Sequence, residues 1–198
     1  ATHWATRAAQ LAAGPAVGGA VVSTSDNRAA VVAGLMPRLR GLMPSSDKAA
    51  RRKLGHFSDD AETMEFVNSA DLARLAALGT SCPDHFLRTK IAPLVLDPAR
   101  LDDEAYLAGA LEDYRALYAA YYERCKHANS PAMRDPNPVI YLVPGVGMIS
   151  FARDKATARI ASEFYVNAIN VMRGAAGVSD YRGLPEQEAF NIEYWLLE

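Results

Sequence analysis

The chain has 198 residues, two cysteines and a formal net charge of −2, from 21 basic and 23 acidic residues. This near balance argues against a nucleic-acid-binding protein, because neutralising phosphates requires a surplus of basic residues. Two cysteines exclude a disulfide-built scaffold and favour a reducing, cytoplasmic compartment. No apolar run approaches the ~20 residues that span a bilayer, so no membrane segment is expected. The length suits one domain over residues 1–198.

Periodicity and capping residues predict short elements in the first part of the chain. Ser58 and Ser69 are the expected N-caps of two successive helices, and Pro37 should kink or end an earlier one. The predicted elements, in chain order, are a helix over Thr2–Ala13, a weak strand over Ala16–Val22, a helix over Asn27–Arg40, a strand over Arg51–Phe57 and helices over Ala61–Asn68 and Ala70–Leu78.

The second part of the chain predicts two long helices and a β-hairpin. Asp102 or Asp103 should cap the first helix and Asp154 the second, while Pro185 opens a last helix. The predicted elements are helices over Leu101–His127 and Lys155–Met172, and strands over Val139–Val143 and Met148–Phe151. We therefore expect an α/β (α+β) layered sandwich with a mixed or partly antiparallel sheet and about six helices.

The densest group of reactive side chains lies in the segment Gly79–Lys90, between a helix and an apolar run. Arginine and lysine bind phosphates and carboxylates, and a histidine can serve as a general acid or base. We therefore predict a ligand site here. His85 is its catalytic residue, and its substrate-binding residues are Thr80, Ser81, Asp84, Arg88 and Lys90.

A purely structural interpretation of this segment stays open, in which Asp84 caps a helical turn after Pro83 and pairs with Arg88. No metal site is expected, because Cys82 and His85 offer two ligands where zinc needs at least three. A nucleotide-binding loop is not expected at the Gly145 turn either. That turn lacks the third glycine of the dinucleotide fingerprint and leads into a strand.

Four stretches of the sequence resemble a known family. They are Leu78–Lys90 (LGTSCPDHFLRTK), Tyr141–Ser150 (YLVPGVGMIS), Glu163–Gly174 (EFYVNAINVMRG) and Ile192–Glu198 (IEYWLLE). Together they are similar to the bifunctional rhamnulose-1-phosphate aldolase/alcohol dehydrogenase family. Proteins of that family have a class II aldolase/adducin domain followed by a short-chain dehydrogenase domain.

The resemblance places this chain in the middle of such a protein, after the zinc-binding histidines and before the dehydrogenase. It implies retro-aldol cleavage of a ketose phosphate, with the aldehyde or sugar then oxidised with NAD. Zinc and NAD are implied for the flanking domains and neither for this chain. The implied partners are a small sugar or sugar phosphate, the flanking domains and further copies in a homo-oligomer.

The ends of the sequence also predict a piece of a longer polypeptide. The chain starts at Ala1 rather than Met and stops at Glu198 within an apolar run. The same run equally suits a C-terminal helix that packs on the chain's own core. An alternative role is a non-catalytic linker or oligomerisation module, because a tyrosine-rich helix and Trp195 suit an interface.

The segment Val139–Met172 suggests a further hypothesis. Its order of strand, glycine turn, strand and capped helix resembles the end of a class II aldolase domain, where a His-Gly turn helps to bind zinc. Here the turn is Pro144-Gly145. We therefore expect a second, degenerate aldolase-like module without its metal site, which stoichiometric zinc in the purified chain would contradict.

Overall fold

The computed structural model describes residues 3, 5, 6, 9, 16–43, 53–177 and 179–195. The predicted helix over Thr2–Ala13 therefore lies almost wholly outside the described residues. The described part holds seven α-helices and four strands. The helices are α1 (Arg28–Gly41), α2 (Ala61–Val67), α3 (Leu72–Leu78), α4 (Pro83–Thr89), α5 (Glu104–Cys125), α6 (Lys155–Ala176) and α7 (Glu186–Glu193), and the strands are β1 (Leu54–Ser58), β2 (Leu94–Val95), β3 (Ile140–Val143) and β4 (Gly147–Ala152).

The four strands form one mixed sheet in the order β1-β4-β3-β2. The β3–β4 hairpin is antiparallel and closes with Val143 opposite Gly147. Strand β1 pairs antiparallel with β4, and the short β2 pairs parallel with β3. The expected mixed α/β fold is therefore confirmed.

Helices cover both faces of this sheet. Successive side chains of a strand point to opposite faces, so a strand that is apolar throughout must be covered on both sides. In β3, Ile140 and Leu142 pack in a cluster with α2, α3 and α6, whereas Tyr141 and Val143 pack in a second cluster with α1 and α5. The result is a three-layer arrangement with β3 buried along its whole length.

In the N-terminal part, the predicted strand was wrong, and so was the option that a helix ends at Pro37. The segment Ala16–Val22 is not a strand, because Ala16–Gly18 forms a 3-10 turn and only Ala20 makes an isolated bridge, to Ser69. Pro37 does not end its helix, which runs from Arg28 to Gly41. Leu35 and Leu39 are buried on either side of Pro37, and this packing outweighs the hydrogen bond that proline removes.

Two of the predicted helix caps are confirmed, and another is wrong. Asp103 and Asp154 accept hydrogen bonds from the backbone N–H groups of Tyr106 and Thr157, as predicted. Ser58 is not a cap, because it is the last residue of β1. The capping role passes to Asp60, whose carboxylate accepts from the backbone of α2. No helix in the described part of the chain is long and apolar enough to cross a bilayer.

Candidate functional site

The predicted ligand segment starts at a tight turn, which is centred on Gly79 and is called the Gly79 corner below. Helix α3 ends at Leu78, and Gly79 follows with a φ of 70°. A Cβ atom at this position would lie 2.4 Å from the carbonyl oxygen of Ile91, so only glycine fits. The hydroxyl of Tyr181 donates to the Gly79 carbonyl at 2.8 Å. This corner fixes where the next residues begin.

A short helix, α4, then carries most of the predicted site residues. Pro83 occupies its first turn, where a missing N–H group has no cost, and Cys82 stands at the N-cap position. Asp84 is therefore not the cap. Asp84 and Arg88 are both exposed, and within the described residues neither forms an ion pair. The cation of Arg88 is thus free to meet an anion from solution.

His85 lies on the buried side of α4. Its ring meets that of Phe164 on α6 edge to face, with centroids 5.5 Å apart, and its Nδ1 atom is buried without a hydrogen-bond partner. Burial lowers the pKa of His85, although the nearby Asp84 carboxylate opposes this effect. The imidazole is therefore uncharged at neutral pH and has an unmet hydrogen bond.

Thr80 is buried in a similar way. Its Oγ1 atom also lacks a partner, while its carbonyl accepts from the backbone N–H of Leu184 at 3.3 Å. Ser81 next to it is half-buried. A buried polar atom without a partner costs about 1–3 kcal/mol, so such atoms are rare and call for an explanation. Two of them, on Thr80 and His85, lie in this one segment.

Lys90 ends the segment and is directed toward α5. Its Nζ atom donates to the carbonyl of Asp135 and lies 3.7 Å from the centroid of the Tyr118 ring. The residue is 8% exposed and has a φ of 64°, in the left-handed region. Burial lowers its pKa to about 7, against the attraction of Glu193 and Asp135. Lys90 and Arg88 therefore lie in different surroundings, one buried and one exposed.

The structure also shows a buried acid that the sequence analysis missed. Glu193 on α7 is 1% exposed, and its carboxylate accepts from the hydroxyls of Tyr118 at 2.5 Å and Tyr121 at 3.2 Å. Tyr118 also shares a 2.7 Å hydrogen bond with Tyr194. Burial raises the pKa of Glu193. One signal could have identified it, namely an acid placed inside the apolar run that closes the chain.

An apolar cavity of about 480 Å³ lies between α3, α5 and the segment after Lys90. Its walls include Ile91, Tyr114 and Leu117, and the ion pair of Arg124 and Glu186 borders it. None of the predicted site residues is among those that line it in the described part of the chain.

A zinc site does not fit the residues present. Across residues 16–43, 53–177 and 179–195, no three histidine, cysteine, aspartate or glutamate side chains come close enough to hold a metal ion. The hairpin turn offers Pro144 and Gly145, neither of which has a ligating side chain.

Comparisons with known proteins agree with the class II aldolase part of the resemblance. A family model described as "Aldolase class II, second domain" matches residues 30–198. The "Uncharacterized oxidoreductase YuxG" of Bacillus subtilis (strain 168) is 31% identical over 178 residues, which cover 87% of this chain and 25% of that protein. The chain thus spans about a quarter of that relative's length, and no solved structure matches. It belongs to the family of class II aldolase second domains.

Proposed function

We propose that this chain is the second domain of a class II aldolase-type enzyme that acts on sugars or sugar phosphates, of the rhamnulose-1-phosphate type. The family match over residues 30–198 supports the aldolase class. The name of the Bacillus relative supports a parent protein that also contains an oxidoreductase. In such a parent, zinc and NAD would be held by regions outside this chain.

One observation supports substrate contacts from the segment Gly79–Lys90. The buried Thr80 Oγ1 and His85 Nδ1 atoms both lack a hydrogen-bond partner. Both atoms are closed to solvent, so the segment would have to open before a polyhydroxylated substrate could supply those partners. Each sugar hydroxyl can both donate and accept. The exposed Arg88 would then bind the phosphate or a carboxylate.

Within this proposal the residues have separate roles. The uncharged imidazole of His85 holds or receives a proton at Nδ1, as a general base would. Thr80 and Ser81 orient substrate hydroxyls, and Asp84 accepts from one. Lys90, which is buried against Tyr118, fixes the end of α4.

A second candidate function is assembly, as a linker or oligomerisation module. The observation that favours it is exposed apolar surface beside the 480 Å³ cavity, where the Leu117 side chain is 70% exposed. Trp195, which follows α7, is 54% exposed. Aromatic and aliphatic side chains of this kind are typical of interfaces.

Alanine substitution in the full-length protein that contains this chain tests the two candidates. We expect Arg88→Ala to raise KM for a sugar phosphate about tenfold, as for the loss of one charge-assisted hydrogen bond. We expect His85→Ala to lower kcat for aldol cleavage. Arg74→Ala is the matched control, because the one ion pair of this exposed arginine among the described residues is with Asp71, the N-cap of its own helix. Unchanged turnover of both variants, in cleavage and in NAD-dependent oxidation, would leave only the assembly role.

A further inference from the structure

A polar pocket of about 430 Å³ lies between β1 and α6. Strand β1 contributes His56 and Ser58, which are two residues apart and therefore point to the same face of the sheet. Helix α6 contributes Ser162 and Asn167. The volume falls within the range of small-molecule sites, which is about 300–1,000 Å³.

A chain of hydrogen bonds joins three of the side chains that line this pocket, those of His56, Ser58 and Ser162. The Oγ atoms of Ser58 and Ser162 are 2.7 Å apart, and Ser58 Oγ lies 3.4 Å from the Nε2 atom of His56. Ser162 is 2% exposed, so its hydroxyl is held in place by the surrounding core. Each of these groups can switch between donor and acceptor, because hydroxyls rotate and an uncharged imidazole has one nitrogen of each kind.

The charged groups around the pocket are already paired with the protein itself. The Asp60 carboxylate accepts from both the backbone N–H and the hydroxyl of Thr63. On α6, Arg159 pairs with Glu163 one turn later. Burial and the neighbouring cations Lys155 and Arg159 lower the pKa of His56, against the effect of Glu163. The pocket is therefore polar, but its charges largely compensate one another.

These features argue against anions and metal ions as ligands of the pocket. A phosphate or carboxylate needs uncompensated cations or a row of donors without facing carboxylates, and here Asp60 and Glu163 both line the pocket. A metal ion needs at least three converging ligands, and the described residues contain no such group. What the lining offers is a mixture of neutral donors and acceptors, namely two hydroxyls, an imidazole and the Asn167 amide.

We propose that this pocket binds a small neutral molecule rich in hydroxyl groups, a sugar or polyol without a phosphate. Each ligand hydroxyl would donate and accept at once, which matches groups that can do the same. Val166 adds the apolar contact that the C–H face of such a ligand needs. The proposal rests on this pocket alone and does not depend on a role for the segment Gly79–Lys90.

NMR titration of the full chain tests whether the pocket binds a neutral polyol. Glycerol, L-rhamnose and D-glucose are the neutral probes, and inorganic phosphate is the charged one. We expect at least one neutral probe to give saturable shifts of the backbone amides of β1 and of residues 159–167. Asn167→Ala should weaken that binding about fivefold, the effect of one hydrogen bond. Asn170→Ala is the matched control, because Asn170 is also exposed on α6 but does not line the pocket.

Three results would overturn the proposal. The first is the absence of saturable shifts with all three neutral probes. The second is equal weakening, or none, in the Asn167 and Asn170 variants. The third is tighter binding of phosphate than of any neutral probe, together with a rise in the His56 pKa, since an anion beside the imidazole stabilises its charged form. Asn167 is exposed, so its replacement leaves the core and the folded state intact.

Discussion

At the scale of single residues, Gly79 is a position where the backbone excludes any side chain. It combines a φ of 70° with an approach to the Ile91 carbonyl that would place a Cβ atom 2.4 Å from the oxygen. We expect Gly79→Ala to lower the free energy of unfolding by at least about 1–3 kcal/mol, from backbone strain and the steric clash together. Urea denaturation, monitored by circular dichroism, measures this loss of stability.

Gly109→Ala provides the control for that substitution. Gly109 lies inside α5, in its second turn, is exposed, and has no atom within 4 Å of the Cβ that alanine would add. Alanine should therefore stabilise the protein by roughly 0.5–1 kcal/mol, because it is the better helix former. Equal effects of the two substitutions would show that the corner at Gly79 is not strained by a side chain.

Because Lys90 is buried, we expect the free energy of unfolding to depend on pH in a definite direction. Its pKa is lowered from 10.5 to about 7 by burial. Between these values the unfolded chain binds a proton that the folded chain does not, so stability rises with pH in this window and is lost as pH falls toward 7. We expect the unfolding free energy of the wild type to rise relative to that of Lys90→Met by up to about 1.4 kcal/mol per pH unit.

Denaturation of both proteins between about pH 7 and about pH 9 measures this difference. Lys126→Met is the control, because Lys126 is exposed and its pKa is raised by Glu123. That variant should follow the pH dependence of the wild type in the window. Parallel curves for the wild type and Lys90→Met would contradict a deprotonated amine at position 90.

At the scale of the elements, the network around Glu193 fastens α7 to α5. Tyr118 is its centre, because its hydroxyl donates to the Glu193 carboxylate at 2.5 Å and pairs with Tyr194. Tyr118→Phe would leave a buried carboxylate with one donor fewer, which should cost about 1–3 kcal/mol of stability. Chemical denaturation gives the value.

Tyr122→Phe is the comparison on the same helix. The Tyr122 hydroxyl donates only to the carbonyl of Pro131, at 2.7 Å, in a partly solvated place. Its loss should cost about 0.5–1.5 kcal/mol, as for an ordinary neutral hydrogen bond. If Tyr118→Phe proved no more harmful than Tyr122→Phe, the carboxylate network would not be what holds α7.

The elements that sequence predicted well are those whose signals are local. The caps Asp103 and Asp154 and the apolar run of β3 each lie within a few residues of what they determine. The buried face of α6 is less evident from the sequence. The large apolar Val171 is 46% exposed, whereas the small Ala161 is buried beside Tyr165. Small residues against a sheet permit close packing, which a count of large apolar side chains does not detect.

The candidate site was predicted only where its residues follow one another along the chain. The segment from Thr80 to Lys90 is a single stretch, and its role as a ligand site stays a prediction. The contacts of Tyr118 with Lys90 and with Glu193 join distant parts of the sequence, and so does the pocket formed by Ser58 and Ser162. Contacts of this kind depend on the tertiary structure, so the spacing of residues along the sequence does not predict them.

At the scale of the whole molecule, the place of β1 at the edge of the sheet constrains how the protein is made. Leu54 lies opposite Ala152 and Ser58 opposite Met148, so nearly half of the chain separates the two partners. During synthesis β1 leaves the ribosome long before β4 exists. Its backbone N–H and C=O groups therefore stay without a partner strand until β4 has been made. Closure of so large a loop makes the β1–β4 pairing a slow step. The nascent domain therefore has a long interval in which chaperones, or aggregation, can act on it.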